Sequence, residues 1–434
     1  MRISNSNRKN RKKNLLLLPV LLILLAVEAV QLGRNWKAYQ EGTFYGNPFG
    51  ETEIIGTPST ENHPEVQSIA ESTPEPTPEP TPTPEPTPTP RPVYRIPEYS
   101  LTGMEPDPNG FHVSEDGAEL AAFLEREDVK EFLDGKTLVW NPERERFPDS
   151  LLHWYYDETI LCIVWQEVEA QAVGTFSEII IQDGSQLRRK ISADQLWSFA
   201  FETTTQFAED TRAVLAFGGD FYYHGRACGV GIYQREFYRF DPVTCDTCYI
   251  TTDGDMLFSY RGGFSTQAEA EQFARENDVL FSLGFGPVLI DDGVDVTPED
   301  YPWGEVNDTY ARSALGWMER HHYLTMNINC GQVGTEYYNL ATLRQAADAM
   351  IARGCRKAYA LDGGQTATTA FGGVLINPVQ FGQEKEISDI IYFASALGAQ
   401  SIPQESSASV DSQLTAIIQP EESDQLQTAE ENVM

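Results

Sequence analysis

"AYALDGGQTATTAFGG", Ala358–Gly373, is an apolar run that stops at an acid, two glycines and a cluster of threonines. Its first residues, with Lys357, read as a buried strand. The preceding "NLATLRQAADAMIARGC" puts Leu340, Leu343, Ala347, Met350 and Ile351 on one helical face, with Asn339 as N-cap and Gly354 as stop. A helix-to-strand unit therefore carries Asp362 to the strand's carboxyl end, and "TTAFGGVLIN" predicts a hairpin turning at Gly372 and Gly373. Two readings of the acid and glycines stand side by side. One is a plain turn; the other is a ligand site, where glycines let a ligand approach the backbone and hydroxyls bind it.

Outward from this stretch the pattern is strand-rich. "ILCIVW", "EIIIQD", "AVLAFGGDF", "GPVLIDDG" and "YLTMNIN" are short apolar runs separated by turns, with a few helical segments between them. "SEDGAELAAFLEREDVKEFLDG" spaces Leu120, Phe123, Leu124, Val129, Phe132 and Leu133 near the helical period and stops at Gly135. Thr266 and Glu269 stand in capping-box spacing at the head of another helix. The fold class this predicts is α+β: one mixed, strand-rich domain with peripheral helices over residues 93–400.

The rest of the 434-residue chain reads as delivery and spacing. Residues 1–13 form a basic flank. An apolar segment follows at 14–33, its core from Leu15 to Val27 shorter than the roughly 20 residues of a spanning helix. Val27 and Ala29 suit signal cleavage, whereas extension through Glu28 to Leu32 suits an uncleaved anchor with the N-terminus inside. Both readings put the remainder outside the cytoplasm, on the cell membrane or secreted. Residues 34–92 read as a disordered stalk ending in "TPEPTPEPTPTPEPTPTPRP", whose alternating prolines favour an extended chain. At about 3.1 Å per residue it would hold the domain on the order of 60 Å from its anchor. Residues 401–434 contain acids and no Lys or Arg, and read as a disordered tail.

Net charge is −34, from 65 acidic and 31 basic residues, which repels nucleic acid and excludes it as a partner. The six cysteines, Cys162, Cys228, Cys245, Cys248, Cys330 and Cys355, suit oxidation in an exported chain but leave their pairing open. His224, Cys228, Cys245 and Cys248 have spacings that zinc sites also use, yet disulfide chemistry is the stronger expectation in that compartment. No metal or other cofactor is called for, and the sequence does not say whether calcium assists.

A second glycine-acid cluster ends the run Ala213–Phe217 at Gly218, Gly219 and Asp220, so two acids, Asp220 and Asp362, are candidates to share one cleft. Paired carboxylates equip glycosidic chemistry, one donating a proton and the other acting as base or nucleophile. In "YARSALGW", Arg312 offers a fork of donors suited to phosphate. Taken in order, "AFGGDFYYHGRACGVGIYQREFYR", "LGFGPVLIDDG", "ARSALG", "LATLRQAADAMIARGC", "AYALDGG", "INPV" and "ISDIIYF" resemble the phosphodiester glycosidase family, well from about Thr211 to Ala394 and weakly from Val93 to Thr211.

That resemblance implies hydrolysis of the bond between an anomeric sugar carbon and a phosphodiester, outside the cytoplasm, on a glycan or a sugar-phosphate polymer. It makes Asp220 and Asp362 the catalytic acids and Arg312 the phosphate clamp. It gives Gly363 and Gly364 backbone donors for phosphate oxygens, with Thr366 and Thr368 at hydroxyl positions. The chain also departs from the family. Gly218 stands where Asn is usual, Cys330 and Gln332 where Asp and Arg are common, Gln365 for a glycine and Ala367 for a serine. A carboxylate, a guanidinium and a hydroxyl that a charged transition state would use are thus missing, and Gln365 leaves the backbone less free, which favours, as an alternative, a relative that binds the polymer without cleaving it.

Overall fold

In the computed structural model, residues 92–196, 198, 200–220, 228–302, 307–329, 331–333 and 336–402 are described. They fall within one unit of the chain, Pro86–Met434. The flank, the 14–33 segment, nearly all of the stalk and the tail after residue 402 lie outside them. Among the described residues no helix is long and apolar enough to cross a membrane.

The domain is the strand-rich α+β fold that the sequence predicts. Its main element is a nine-stranded sheet in which every neighbouring pair is antiparallel. Its order is Val294–Asp295, Val288–Asp291, Lys357–Leu361, Arg312–Glu319, His322–Asn329, Ala172–Ile181, Ile160–Glu169, Leu152–Asp157 and Phe111–Ser114. A five-stranded antiparallel sheet runs Val374–Leu375, Thr369–Phe371, Ala213–Gly218, Asp389–Ala394 and Leu187–Ile191.

Strand periodicity explains how these sheets stack. Side chains alternate between faces, so each central strand feeds two cores. In Ala172–Ile181, buried throughout, Phe176 and Ile180 join one apolar cluster while Ile179 and Ile181 join another. The second cluster welds the sheets together: Leu315, Tyr359 and Leu361 of the larger pack with Leu215, Phe217, Ile391 and Phe393 of the smaller. The first cluster is closed by the helix Leu343–Ile351, through Leu343, Ala346, Ala347, Ala349 and Met350.

Local signals set the helix ends, with two corrections. Thr266 and Glu269 form the expected capping box ahead of Gln267–Glu276. The helix before Asp362 starts later than expected: Thr342, not Asn339, caps it, in a box with Gln345, which leaves Leu340 outside. The stretch from Gly117 is two helices, Gly117–Leu124 and Glu127–Leu133, because Arg126 takes an extended conformation (φ −61°, ψ 141°) and restarts the chain. The hairpin at Gly372 and Gly373 forms as expected, both glycines having positive φ (55° and 80°). Strands Val93–Arg95 and Gln400–Ile402 pair antiparallel, joining the first and last described parts of the domain.

Candidate active site

Topology brings three strand ends to one place. Asp362 follows Lys357–Leu361 in the larger sheet, Asp220 follows Ala213–Gly218 in the smaller, and Asp389 opens the strand beside it. Ile390 pairs with Gly218 in antiparallel register, so the end of one strand lies against the start of the other. Asp220, Asp362 and Asp389 all line a small pocket of about 100 Å³, together with Gly219, Thr366, Lys385, Glu386 and Ser388.

The glycines that the sequence singles out make this convergence sterically feasible. A Cβ at position 218 would run into the Thr366 carbonyl oxygen, and one at 219 into the Asp389 carboxylate. Gly218 is thus a fitted departure from the family's asparagine. Restoring Asn in Gly218→Asn is expected to destabilise the domain by about 1–3 kcal/mol, read as a lowered urea midpoint.

A buried guanidinium organises two of the acids. Arg189 places Nη2 2.9 Å from Asp220 Oδ1 and donates from Nε to Asp389 Oδ2 at 2.8 Å. Its Nη1 donates to the Ser282 carbonyl at 2.6 Å and to the Tyr238 hydroxyl at 3.3 Å. Asp220 Oδ2 accepts from the Gly284 N–H at 3.0 Å, and Arg239 stands 4.0 Å away. The Asp220 N–H in turn donates to Asp389 Oδ2 at 3.2 Å. Burial pushes the Asp389 carboxyl up; Arg189 opposes that shift and the Asp220 charge adds to it.

Asp362 sits differently. The residue is half-buried, yet protein surrounds its carboxyl, and burial pushes that group up to about 7. The Thr366 hydroxyl, the Lys385 charge and the Gly363 N–H hold the shift back, while Asp220 adds to it. Asp362 is therefore poised to exchange a proton near neutral pH, on a pocket where Asp220 and Asp389 are tied to Arg189.

The remaining predicted site residues are placed as follows. Arg312 is buried, with Nε donating to the Ala341 carbonyl at 3.0 Å and Nη2 to the Asp308 carbonyl at 2.6 Å; it is not among the residues lining the pocket. Gly364 gives its N–H to the Ala311 carbonyl at 2.8 Å, so this donor is spent within the protein, and a Cβ at Gly363 would strike the same carbonyl. Thr366 lines the pocket while its hydroxyl donates to the Gly363 carbonyl at 2.7 Å. Thr368 is buried, its hydroxyl shared with Thr204 and with the Thr366 carbonyl.

Among the described residues no group of three or more His, Cys, Asp or Glu is arranged to hold a metal ion. Cys228 and Cys245 approach to 2.8 Å between sulfurs within one core cluster, whereas Cys248 packs in another. His224 and Cys330 lie outside the described residues. Sequence reasoning missed Asp389, Arg189 and Lys385. Asp389 was visible only as the head of an apolar strand, "DIIYFA".

Comparison with known proteins adds the family. No curated protein matches the chain. Among solved structures, the catalytic domain of zebrafish N-acetylglucosamine-1-phosphodiester alpha-N-acetylglucosaminidase, auto-inhibited by its pro-peptide, is similar at 15% identity and a TM-score of 0.43, over 58% of this chain and 86% of that one. A hypothetical protein from Synechocystis is similar at 15% identity and a TM-score of 0.39, over 54% of this chain and 62% of that one. The profile described as phosphodiester glycosidase matches residues 211–394, the segment that holds Asp220, Asp362 and Asp389. Over residues 211–394, a little over two fifths of its length, this chain is thus similar to the phosphodiester glycosidase family.

Proposed function

We propose that this pocket hydrolyses the bond between a sugar's anomeric carbon and a phosphodiester, in a glycan or cell-envelope polymer outside the cytoplasm. The observation that carries the reading is Asp362: a carboxyl raised to about 7 on a pocket shared with three further acids. A departing phosphate needs little help from an acid, because it is already a stable anion. The harder task is to activate water and to balance the positive charge that develops on the sugar ring. Asp362 acts as the base toward that water, and Asp220, whose carboxylate is buried against Arg189, adds to the electrostatic effect that keeps the Asp362 carboxyl raised. The basic flank and apolar segment at the N-terminus support export, and the Thr/Pro stalk supports a domain held away from a membrane.

The alternative reading, binding without cleavage, is favoured by one observation: the Gly364 N–H and the Thr368 hydroxyl are spent within the protein, and Ala367 has no hydroxyl. Turnover separates the two. The full chain, incubated with a chromogenic N-acetylglucosamine-1-phosphodiester, is expected to release sugar, and kcat/KM should rise with pH through about 7, as the free Asp362 carboxyl ionises. Binding without release supports the alternative. A rate that instead falls through the same pH would make Asp362 the acid.

A further inference from the structure

The sugar-phosphodiester reading leaves one requirement unmet, because the substrate is an anion and the pocket is acidic. Asp220, Asp362, Glu386 and Asp389 all line it. Arg189 is committed to Asp220 and Asp389, and Arg312 to the carbonyls of Ala341 and Asp308. Among the described lining residues the one cation is Lys385. It is exposed, close enough to Asp362 to favour that group's charged form, and lies on the stretch leading into the strand Asp389–Ala394.

The stretch around Lys385 is fastened on both sides. Gln365 Nε2 donates to the Gln383 carbonyl at 3.1 Å. The Glu384 carboxylate accepts from the Thr205 N–H at 3.2 Å and from its hydroxyl at 2.6 Å. Two residues past the lysine, Ile387 exchanges backbone hydrogen bonds with Glu202, at 2.8 and 3.2 Å. An exposed lysine on a free loop loses much of its charge's value to side-chain and loop entropy; one presented from a fastened backbone loses less. Gln365, which replaces a family glycine, supplies one of these fastenings.

We propose that Lys385, held by Gln365, Thr205 and Glu202, is the residue that receives the phosphodiester charge of the substrate. The assignment rests on the sugar-phosphodiester reading for its ligand class but not on turnover. The lysine favours a phosphodiester over the neutral sugar, and the four acids of the pocket repel any anion that does not engage it.

Calorimetric binding on the full chain tests this, using free N-acetylglucosamine and a non-hydrolysable methyl N-acetylglucosaminyl phosphodiester analogue, with methylene in place of the anomeric oxygen, as probes, while hydrolysis of the diester itself is followed separately. The wild type is expected to prefer the diester by about tenfold or more, Lys385→Met to lose that preference with its affinity for the free sugar unchanged, and Lys385→Arg to keep most of it. Gln365→Ala is expected to keep part of the preference, again at unchanged sugar affinity. A Lys385→Met protein that retains the preference overturns the assignment, as does a wild type that shows none or binds neither probe. A wild type with the preference but no hydrolysis sinks the hydrolase reading and leaves Lys385 in place. Hydrolysis and preference both untouched by Lys385→Met do the reverse.

Discussion

Asp362→Asn is expected to lower kcat on a sugar-1-phosphodiester by about a hundred- to ten-thousand-fold, the usual value of a positioned acid or base. The same change is expected to make the protein more stable above neutral pH. The sign follows from linkage. In the unfolded chain the aspartate titrates near its ordinary value, about 3.9, whereas in the folded domain burial raises it to about 7. Between those values the folded state holds the extra proton. Asp362's contribution to stability is therefore full below about pH 4 and is lost as pH rises through 7. Asparagine cannot ionise, so in the variant that decline should disappear. Urea unfolding of both proteins from pH 4 to 8, beside steady-state rates, checks both halves. A loss of activity accompanied by an equal loss of stability at every pH would assign Asp362 to structure rather than chemistry.

Arg189→Met should give the largest loss of stability, about 3–5 kcal/mol, because removing one partner of a buried ion pair strands the others. Here a single guanidinium serves two carboxylates, Asp220 at 2.9 Å and Asp389 at 2.8 Å, all three side chains being at most 1% exposed. Asp389 is pushed up by burial even with the arginine in place, so without it this acid holds its proton to still higher pH. The defect should therefore be mildest in acid and grow as pH rises through neutrality. Adding Asp220→Asn and Asp389→Asn to Arg189→Met should recover much of the loss, since no uncompensated charge then remains. Chemical denaturation of the wild type, Arg189→Met and the triple variant provides the measurement. A loss under about 1 kcal/mol for Arg189→Met alone would mean that water or another cation reaches the pair.

The pattern of the sequence was enough to locate Asp220 and Asp362. Both follow apolar runs that could only be strands, and both precede or follow glycines that the packing requires: Gly218 and Gly219 let the chain pass Thr366 and Asp389. The strand-rich class, the hairpin at Gly372 and the capping box at Thr266 were legible for the same reason, since each is decided by residues a few positions apart. The roles of the charged residues were not. "LRRKI" looks like a solvated segment, yet all five residues are buried, and Arg189 has its acids 31 and 200 positions away. Arg312 has the right fork for phosphate, but carbonyls brought from Asp308 and Ala341 occupy two of its donors. Lys385 stands in an undistinguished polar run, "GQEKE", and matters only because Gln365 and Thr205 fasten that run beside Asp362. Partners contributed by distant strands carry no local signature.

Gln365 and Ala367, the departures from the family in the stretch that leads to Asp362, also have separate structural roles. Ala367 is fully buried, its carbonyl accepting from Asn377 at 2.8 Å and from Asn329 at 3.3 Å, which anchors the turn after the acid. Gln365 donates to the Gln383 carbonyl, two residues before Lys385. The turn is thus rebuilt rather than simply eroded, and Asp362 keeps its place.

The central claim is that this pocket breaks a sugar-carbon to phosphate-oxygen bond, and hydrolysis by the full chain in ¹⁸O-labelled water tests it most directly. With a methyl N-acetylglucosaminyl phosphodiester as substrate, mass spectrometry is expected to find the label on the anomeric hydroxyl of the released sugar and none in the phosphate, with release slowed about a hundredfold or more in Asp362→Asn. Label in the phosphate would mean cleavage at phosphorus, and no release of sugar would mean no glycosidase; either result contradicts the account.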